Sequence, residues 1–328
     1  MKRIAFFDTK PYDKIWFDKL NKNYEIVYFE GKLNKHTVHI TPGFDAVCGF
    51  VNDDINSQVL QTMAKNGVKI LAMRSAGYSN VDLKAAENLI KVVRVPAYSP
   101  YAVAEHAMGL LLTINRKLAR AAMRTRDFNF SIVGLMGVDL HGKTAGVIGT
   151  GTIGKVFINI CKGFGMKVIA YDPYPVTDGS IDYVTLDELF ASSDVISLHC
   201  PLSESSYHLV DEDAFAKMKK SAFLINTSRG ALIDSTALLN ALNNERIKGA
   251  ALDVYEEETD LFFEDKSGTV VKDDTLSLLI SKPNIVITSH QAFLTEEALE
   301  AIAKVTLSNL DEFFSGKPLT NEVKISHK

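Results

Sequence analysis

The chain has 328 residues, enough for about two domains, and its 46% hydrophobic and 23% charged residues are typical of a globular protein rather than a disordered or fibrous one. The net charge of −4 argues against a dedicated nucleic-acid binder, and the apolar runs are too short to span a membrane. The chain shows no signal peptide, and its three cysteines (Cys48, Cys161 and Cys200) are widely spaced. These features predict a cytoplasmic protein with neither a disulfide framework nor a zinc site.

The first hundred residues alternate short apolar runs with polar, helix-like stretches. Such an alternation is typical of a parallel sheet covered by helices on both faces. The segment Ser57–Asn66 is predicted to be one of these helices. The predicted strands are Ile4–Phe7, Glu25–Phe29, Ala46–Cys48, Lys69–Met73 and Val92–Val95.

A long helix is predicted next. Ser99 is a favourable N-cap residue and Pro100 a favourable first helical residue. The segment Tyr101–Arg120 is rich in Ala, Leu and Met, and its apolar residues cover most of the helix surface. We therefore expect this helix to be buried between other elements.

A second β-α series begins at Lys143 and ends in a helix. Six strands separated by helical stretches match a complete dinucleotide-binding sheet. The closing helix is predicted over Thr295–Phe314, with Gly316 and Pro318 as stop signals. The predicted strands are Thr144–Ile148, Lys167–Tyr171, Val195–Leu198, Ala222–Asn226, Ala250–Asp253 and Ile285–Thr288.

The segment Glu256–Asp274 places Leu261-Phe262-Phe263 between acidic stretches. It is either a structured excursion close to a site or an ordinary long surface loop. The sequence leaves both interpretations open.

A GxGxxG motif follows the first strand of the second series and opens a helix. Gly149 permits a tight turn, Gly151 lets the backbone approach a pyrophosphate, and Gly154 lets helix and strand pack closely. Asp172 ends the next strand, where a carboxylate can accept hydrogen bonds from the adenosine ribose hydroxyls and repel a 2′-phosphate. The pattern predicts an NAD site rather than an NADP site.

Three ionisable residues follow three late strands, at the sheet edge where open α/β sheets bind ligands. Arg229 can hold a carboxylate with two parallel hydrogen bonds. His290 can pass a proton to or from a reacting oxygen, and Glu258 beside it would favour the imidazolium and fix the ring. Each residue alone would more often be a cap or a salt-bridge partner, so only their joint placement predicts hydride transfer to a 2-oxo acid.

The chain also resembles the NAD-dependent D-2-hydroxyacid dehydrogenase family nearly from end to end. The resemblance implies a fold of two doubly wound parallel-sheet α/β domains. A Rossmann-type NAD-binding domain, residues 100–294, would be inserted into a flavodoxin-like substrate domain, residues 1–99 and 295–328, and the two would close on the substrate. The residues that carry the resemblance are Gly149-Thr150-Gly151-Thr152-Ile153-Gly154, Asp172-Pro173-Tyr174, His199-Cys200-Pro201-Leu202, Asn226-Thr227-Ser228-Arg229-Gly230, Asp253-Val254-Tyr255-Glu256 and Ser289-His290-Gln291-Ala292-Phe293.

Roles for individual residues follow from the resemblance. Arg229, Glu258 and His290 match the catalytic trio, and Asp253 matches the acid that contacts the nicotinamide carboxamide. The amides of Ser75-Ala76-Gly77 match a loop that also holds the substrate carboxylate. The remaining matches are dinucleotide contacts at Thr152, Ile153, Asp172, Cys200, Pro201, Ser206, Thr227 and Ser228, with Ser206 replaced by Asn in several relatives, and walls around the substrate's small group at Phe50, Tyr98 and Phe293.

The expected substrate is pyruvate, with no nucleic-acid or membrane partner and with a homodimer or homotetramer as the assembly. Glyoxylate, phenylpyruvate and 2-ketoisocaproate remain alternatives, because one methylene in a pocket changes binding by only about 1–3 kcal/mol. A non-catalytic NAD-sensing protein is the alternative from another class. No metal site is predicted, because His36 and His39 lack further ligands and Glu105-His106 lacks the second histidine of a zinc-hydrolase motif.

Overall fold

In the computed structural model, which describes residues 1–325, the chain folds into two units. One unit combines Met1–Ser99 with the C-terminal segment that begins at Leu294, and the other is continuous over Pro100–Phe293. The last three residues of the predicted substrate domain, 326–328, lie outside the described residues.

The strands and helices alternate along both units. The strands are β1 (Lys2–Phe6), β2 (Tyr24–Tyr28), β3 (Ala46–Gly49), β4 (Ile70–Met73), β5 (Lys91–Val93), β6 (Thr144–Ile148), β7 (Lys167–Tyr171), β8 (Asp182–Tyr183), β9 (Val195–Leu198), β10 (Phe223–Asn226), β11 (Gly249–Leu252) and β12 (Ile285–Ile287). The α-helices are α1 (Pro11–Leu20), α2 (Ser57–Lys65), α3 (Leu83–Ala86), α4 (Pro100–Arg116), α5 (Leu118–Arg126), α6 (Thr152–Gly163), α7 (Leu186–Ser192), α8 (Glu212–Lys217), α9 (Ser235–Asn243), α10 (Asp274–Ile280) and α11 (Glu296–Phe314).

The first unit is built on a five-stranded parallel sheet in the order β2-β1-β3-β4-β5. Helices cover both faces, so β3 and β4 are buried along their whole length, as strands of a parallel sheet usually are. The helix α11 from the C-terminal segment packs on α1 and β4. The strand order reverses between β1 and β3, which places the loops after these strands at a topological switch point.

The second unit is built on a seven-stranded parallel sheet in the order β12-β11-β10-β9-β6-β7-β8. The chain winds outward from β6 in one direction and from β9 in the other, so the switch point lies at the carboxyl ends of β6 and β9. Helices α4 and α6 pack on one face and α7 to α10 on the other. The two sheets confirm the predicted doubly wound α/β fold. Within residues 1–325, the helices are too short or too polar to cross a membrane.

The structure differs from the sequence prediction at three places. The long helix predicted to Arg120 ends at Arg116, because Lys117 takes a left-handed conformation (φ of +52°) before α5 begins. The helix α1 was not predicted, although Pro11 at its first position is a helix-start signal. The short strand β8 extends the second sheet to seven strands and is too brief to leave a sequence pattern.

Candidate active site

The turn between β6 and α6 is a backbone cradle built from three glycines. Gly149 has a φ of +92°, and a Cβ atom there would lie 2.6 Å from the backbone nitrogen of Cys200, so only glycine fits. A Cβ atom on Gly154 would lie 2.0 Å from the carbonyl oxygen of Gly149. Gly151, the N-cap of α6, faces open space, and the amides of Thr152, Ile153 and Gly154 have no acceptor within residues 1–325. The turn therefore presents N–H donors and the positive helix end to an anion such as a pyrophosphate.

Asp172 stands beside this cradle at the end of β7. One carboxylate oxygen accepts hydrogen bonds from the backbone N–H (2.7 Å) and hydroxyl (2.9 Å) of Thr150, and the other accepts from the Tyr174 N–H (2.9 Å). Partial burial opposes ionisation, but these hydrogen bonds outweigh it and hold the pKa of Asp172 below the ordinary aspartate value. A fixed negative charge at this position fits a free ribose hydroxyl pair and disfavours a 2′-phosphate.

Asp172→Ser is expected to weaken NADH binding about 10-fold, because a serine hydroxyl cannot replace the two charged hydrogen bonds that a carboxylate accepts from the ribose. The preference for NADH over NADPH should also become smaller, because a hydroxyl does not repel the 2′-phosphate of NADPH. Fluorescence titration with each dinucleotide measures both affinities. Asp178→Ser is the matched control, since Asp178 lies on the following exposed loop and bonds only Ser180 among the described residues. An unchanged ratio of the two affinities in D172S would contradict the assignment.

The loops after β9 and β10 line the same switch point. The Ser228 hydroxyl donates to the Cys200 carbonyl oxygen (2.6 Å), and the Ser206 hydroxyl donates to the Pro201 carbonyl oxygen (2.8 Å). Burial raises the pKa of the Cys200 thiol to about 11, so this cysteine is a wall rather than a nucleophile. The Thr227 hydroxyl is buried with no hydrogen-bond partner among the described residues. A buried hydroxyl without a partner is rare and points to a ligand at this edge of the sheet.

A histidine–glutamate pair lies at the carboxyl ends of β11 and β12. His290 Nδ1 is 2.7 Å from Glu258 Oε1, and the Tyr255 N–H donates to the other carboxylate oxygen of Glu258 at 3.0 Å. About a quarter of each side chain is exposed, so Nε2 of the ring can reach a ligand. The Glu258 carboxylate therefore holds the ring in one orientation, with Nδ1 engaged and Nε2 available.

One aromatic residue beside this pair, Phe263, comes from the segment Glu256–Asp274. The rings of Phe263 and His290 are 5.7 Å apart, and Phe263 also lies 6.4 Å from Phe293. Phe262 is buried in the core of the second unit. The part of Glu256–Asp274 that contains Phe262 and Phe263 thus fits the structured excursion, whereas residues 264–270 are exposed and form neither helix nor strand.

Asp253 organises the backbone around His290. It is fully buried, and its carboxylate accepts hydrogen bonds from the Thr288 hydroxyl (2.5 Å) and from the amides of Gln291 (2.9 Å) and Ala292 (2.8 Å). Burial opposes ionisation, but these bonds and His106 hold the pKa of Asp253 below its ordinary value. The His290 N–H donates to the Asp253 carbonyl oxygen at 2.6 Å and helps to hold His290 at an unfavourable φ of +54°. The expected contact of Asp253 with a carboxamide stays a prediction.

Arg229 is the third residue of the loop after β10. Its Nη1 donates to the Ser228 carbonyl oxygen at 2.7 Å, and no carboxylate within residues 1–325 forms an ion pair with it. The Asn226 side-chain amide donates to the Arg229 carbonyl oxygen (2.8 Å). A Cβ atom on Gly230 would lie 2.0 Å from the carbonyl carbon of Tyr255, so the arginine loop packs directly on the loop that carries Glu258. The second unit thus brings all three predicted catalytic residues to one sheet edge, where Arg229 has no carboxylate partner among the described residues.

The first unit contains a second group of amides without acceptors, in the turn that follows β4. The Ser75 hydroxyl donates to the Gly77 carbonyl oxygen and Arg94 Nη1 donates to the Ala76 carbonyl oxygen, both at 2.8 Å. The carbonyl groups are therefore held by protein donors, whereas the N–H groups of Ala76 and Gly77 have no acceptor among the described residues. A turn with this pattern can bind a carboxylate.

Phe50 lies at the end of β3 in the same unit. Its ring is 4.4 Å from the guanidinium of the fully buried Arg74, which also lies 4.5 Å from the Phe6 ring. The Phe50 N–H donates to the Asp53 carboxylate at 2.6 Å. Tyr98 is half-buried in the same unit, and Phe293 is buried in the other. The substrate roles of these aromatic residues stay predictions.

Several residues that shape these groups were missed in the sequence. The sequence around His106 suggests only an incomplete zinc-hydrolase motif, but in the fold its Nε2 lies 3.2 Å from the Thr288 hydroxyl and 3.3 Å from the Asp253 carboxylate. Arg74 and Arg94 show no sequence signal, whereas Asn226 ends a predicted strand and could have been recognised. Among residues 1–325, no cluster of three or more metal-ligating side chains is present.

Comparisons with known proteins agree with this geometry. The family model described as "D-isomer specific 2-hydroxyacid dehydrogenase, NAD binding domain" matches residues 108–292. The chain is 50% identical to D-lactate dehydrogenase of Escherichia coli (strain K12) over 98% of this chain and 99% of that protein. It is 51% identical to a 2-hydroxyacid dehydrogenase homolog of Haemophilus influenzae over the same shares. The apo structure of the Escherichia coli D-lactate dehydrogenase superposes with a TM-score of 0.91 at 48% identity, covering 98% of this chain and all of that one.

Proposed function

Because the chain belongs to the D-isomer-specific 2-hydroxyacid dehydrogenase family, we propose that it reduces pyruvate to D-lactate with NADH, in a reversible reaction. The chain is an NAD-dependent oxidoreductase acting on a CH–OH group. The observation that carries the proposal is the His290–Glu258 pair, 2.7 Å apart, at the same sheet edge as Arg229, which forms no ion pair with the carboxylates that the structure describes. The near full-length similarity to D-lactate dehydrogenases supports pyruvate within the family's range of substrates.

The cofactor residues form a continuous edge in the second unit. Bound NADH supplies the hydride. The glycine cradle with Thr152 and Ile153 would hold the pyrophosphate, and Asp172 the adenosine ribose. The rest of the dinucleotide would be lined by the loops that contain Cys200, Pro201, Ser206, Thr227 and Ser228. The Thr227 hydroxyl, which is buried without a hydrogen-bond partner among the described residues, supports a ligand at this position.

The substrate carboxylate would be bound by two kinds of donor. Arg229 can offer two parallel N–H groups, which orient the carboxylate as well as neutralise it. The N–H groups of Ala76 and Gly77, which have no acceptor among the described residues, would donate further hydrogen bonds to the carboxylate. Both groups of donors are held by their own neighbours before any ligand arrives, which reduces the ordering cost of binding.

Proton transfer would take place at His290 Nε2. Nδ1 is bonded to Glu258, so Nε2 carries the proton that passes to the carbonyl oxygen of pyruvate. Glu258 holds the ring in one orientation during the transfer. In the reverse direction, the neutral ring accepts the proton of the hydroxyl group.

The aromatic residues Phe50, Tyr98 and Phe293 favour a small side group on the substrate. A panel of pyruvate, glyoxylate, phenylpyruvate and 2-ketoisocaproate, followed by NADH absorbance, tests this choice. We expect the highest kcat/KM for pyruvate. A higher kcat/KM for a bulkier acid or for glyoxylate would show that this acid, rather than pyruvate, is the preferred substrate, while the reaction class would stay the same.

The assembly we propose is a homodimer, or a homotetramer that contains it, formed through an apolar arm in the second unit. This arm follows α5 and exposes Phe128, Phe130, Ile132, Val133 and Met136, each between 72 and 86%. Arg124 donates hydrogen bonds to the carbonyl oxygens of Ser131 and Val133, so the arm is ordered although its apolar side chains face outward. An ordered apolar patch of this kind is typical of a protein–protein interface.

Replacing Phe128 and Phe130 together with aspartate is expected to convert the assembly to monomers, because two charges would be buried without partners. Size-exclusion chromatography with light scattering measures the mass. Phe164→Asp, at another partly exposed phenylalanine of the same unit, is the control. An assembly that keeps its mass in the double variant would place the interface elsewhere.

We also propose a cytoplasmic location. The cysteines Cys48, Cys161 and Cys200 are free and buried. Unpaired thiols are compatible with a reducing compartment, where disulfides are rare.

A further inference from the structure

A cationic side chain, Arg94, binds a carbonyl group of the turn that follows β4. Arg94 follows β5, and its Nη1 donates to the Ala76 carbonyl oxygen at 2.8 Å. We propose that Arg94 is a positioning residue that strengthens substrate-carboxylate binding through the peptide bond between Ala76 and Gly77. The inference rests on the proposed role of this turn in binding the substrate carboxylate.

One peptide group connects the cation to the binding site. The Ala76 carbonyl and the Gly77 N–H belong to the same planar trans peptide, so they point in opposite directions. The guanidinium of Arg94 at the Ala76 carbonyl oxygen draws electron density from the peptide group, so the Gly77 N–H becomes a stronger hydrogen-bond donor. Hydrogen bonds connected in a chain polarise one another in the same way. A carboxylate accepting from that N–H would therefore be stabilised by a cation that it does not touch.

The charge of Arg94 is not cancelled locally. Among residues 1–325, no carboxylate forms an ion pair with its guanidinium, which lies 5.1 Å from the centre of the Tyr78 ring. Lys91, the first residue of β5, differs from Arg94, because it pairs with Glu322 at 2.7 Å. The positive charge next to the turn thus remains available to attract an anion.

The backbone of Arg94 is anchored by the C-terminal segment. Its N–H donates to the Asn321 carbonyl oxygen (3.1 Å), and its carbonyl oxygen accepts from the side-chain amide of Asn309 (2.9 Å). Asn321 in turn donates to the Asn309 side-chain oxygen at 2.8 Å, and Asn309 is buried. Arg94 is therefore presented to the turn by a hydrogen-bonded network centred on the buried Asn309, as a preorganised group should be.

The test compares three substitutions at Arg94 in the full-length protein. Arg94→Met removes the charge and the donor, Arg94→Gln keeps a donor without charge, and Arg94→Lys keeps the charge. We expect R94M and R94Q to raise the KM for pyruvate and the inhibition constant of oxamate about 10-fold, with kcat changed less than about twofold. R94K should recover most of the loss, and the KM for NADH should stay unchanged in all three.

Lys91→Met is the matched control, because it removes a cation that ties the same C-terminal segment without touching the turn. Melting temperatures identify any variant that is unfolded, and R94Q remains informative if R94M fails to fold. An unchanged pyruvate KM in folded R94Q and R94M would overturn the proposal. Equal losses in K91M, or a parallel loss of kcat and NADH affinity, would also overturn it by indicating a general structural role. Absence of pyruvate reduction by the wild-type protein would instead refute the proposed function.

Discussion

Replacing His290 with glutamine is expected to lower kcat for pyruvate reduction about 1000-fold, because general acid catalysis by a positioned side chain contributes roughly 10²–10⁴-fold. Glutamine can still donate a hydrogen bond, but it cannot deliver a proton to the carbonyl oxygen. NADH affinity should be nearly unchanged, since the cradle and Asp172 lie after β6 and β7 rather than after β12. Steady-state kinetics and NADH titration measure the two effects separately.

A matched histidine–glutamate pair provides the control. His208 Nε2 lies 2.7 Å from Glu256 Oε1, the same separation as in the His290–Glu258 pair, and His208 is also partly exposed. His208→Gln should leave kcat within about twofold, because no proton transfer is assigned to this pair. Turnover by H290Q close to that of the wild type would refute the proton-transfer role.

Replacing Arg229 with lysine is expected to raise the KM for pyruvate about 100-fold, because lysine is a point charge and cannot supply two parallel hydrogen bonds to a carboxylate. The change preserves the charge, so the loss measures geometry more than electrostatics. The KM for NADH should change little. Oxamate, which carries the same carboxylate, should lose affinity by a similar factor.

Arg246→Lys is the control for this substitution. Arg246 lies in the same unit and donates to the Phe215 carbonyl oxygen, away from the sheet edge that carries Arg229. We expect R246K to keep the wild-type KM for pyruvate. An R229K variant with an unchanged KM would show that the carboxylate is bound elsewhere.

The sequence predicted the strands of the second unit well, since β6, β7 and β9 begin and end where the apolar runs do. A buried parallel strand is a short continuous apolar run bounded by turn residues, and this signal is local. The break at Lys117 has no such signal, because the residues on either side favour helix equally. The strand β8 is fixed by its pairing with β7, not by its own two residues.

The catalytic candidates were accessible from sequence because strand-end positions in a parallel sheet converge. The residues that hold these candidates in place could not be predicted from the sequence. His106 and Asp253 are separated by most of the second unit along the chain, and Arg94 meets Ala76 only through the pairing of β4 with β5. Such contacts depend on tertiary packing, and no spacing rule in the chain encodes them.

The most direct measurement of the central claim is the configuration of the product formed from pyruvate and NADH. The purified protein is incubated with both, and the lactate is resolved by chiral chromatography while NADH oxidation is followed by absorbance. We predict D-lactate as the only enantiomer, formed in equal amount to the NADH consumed. Formation of L-lactate or a racemate, or NADH binding without any lactate, would contradict the account.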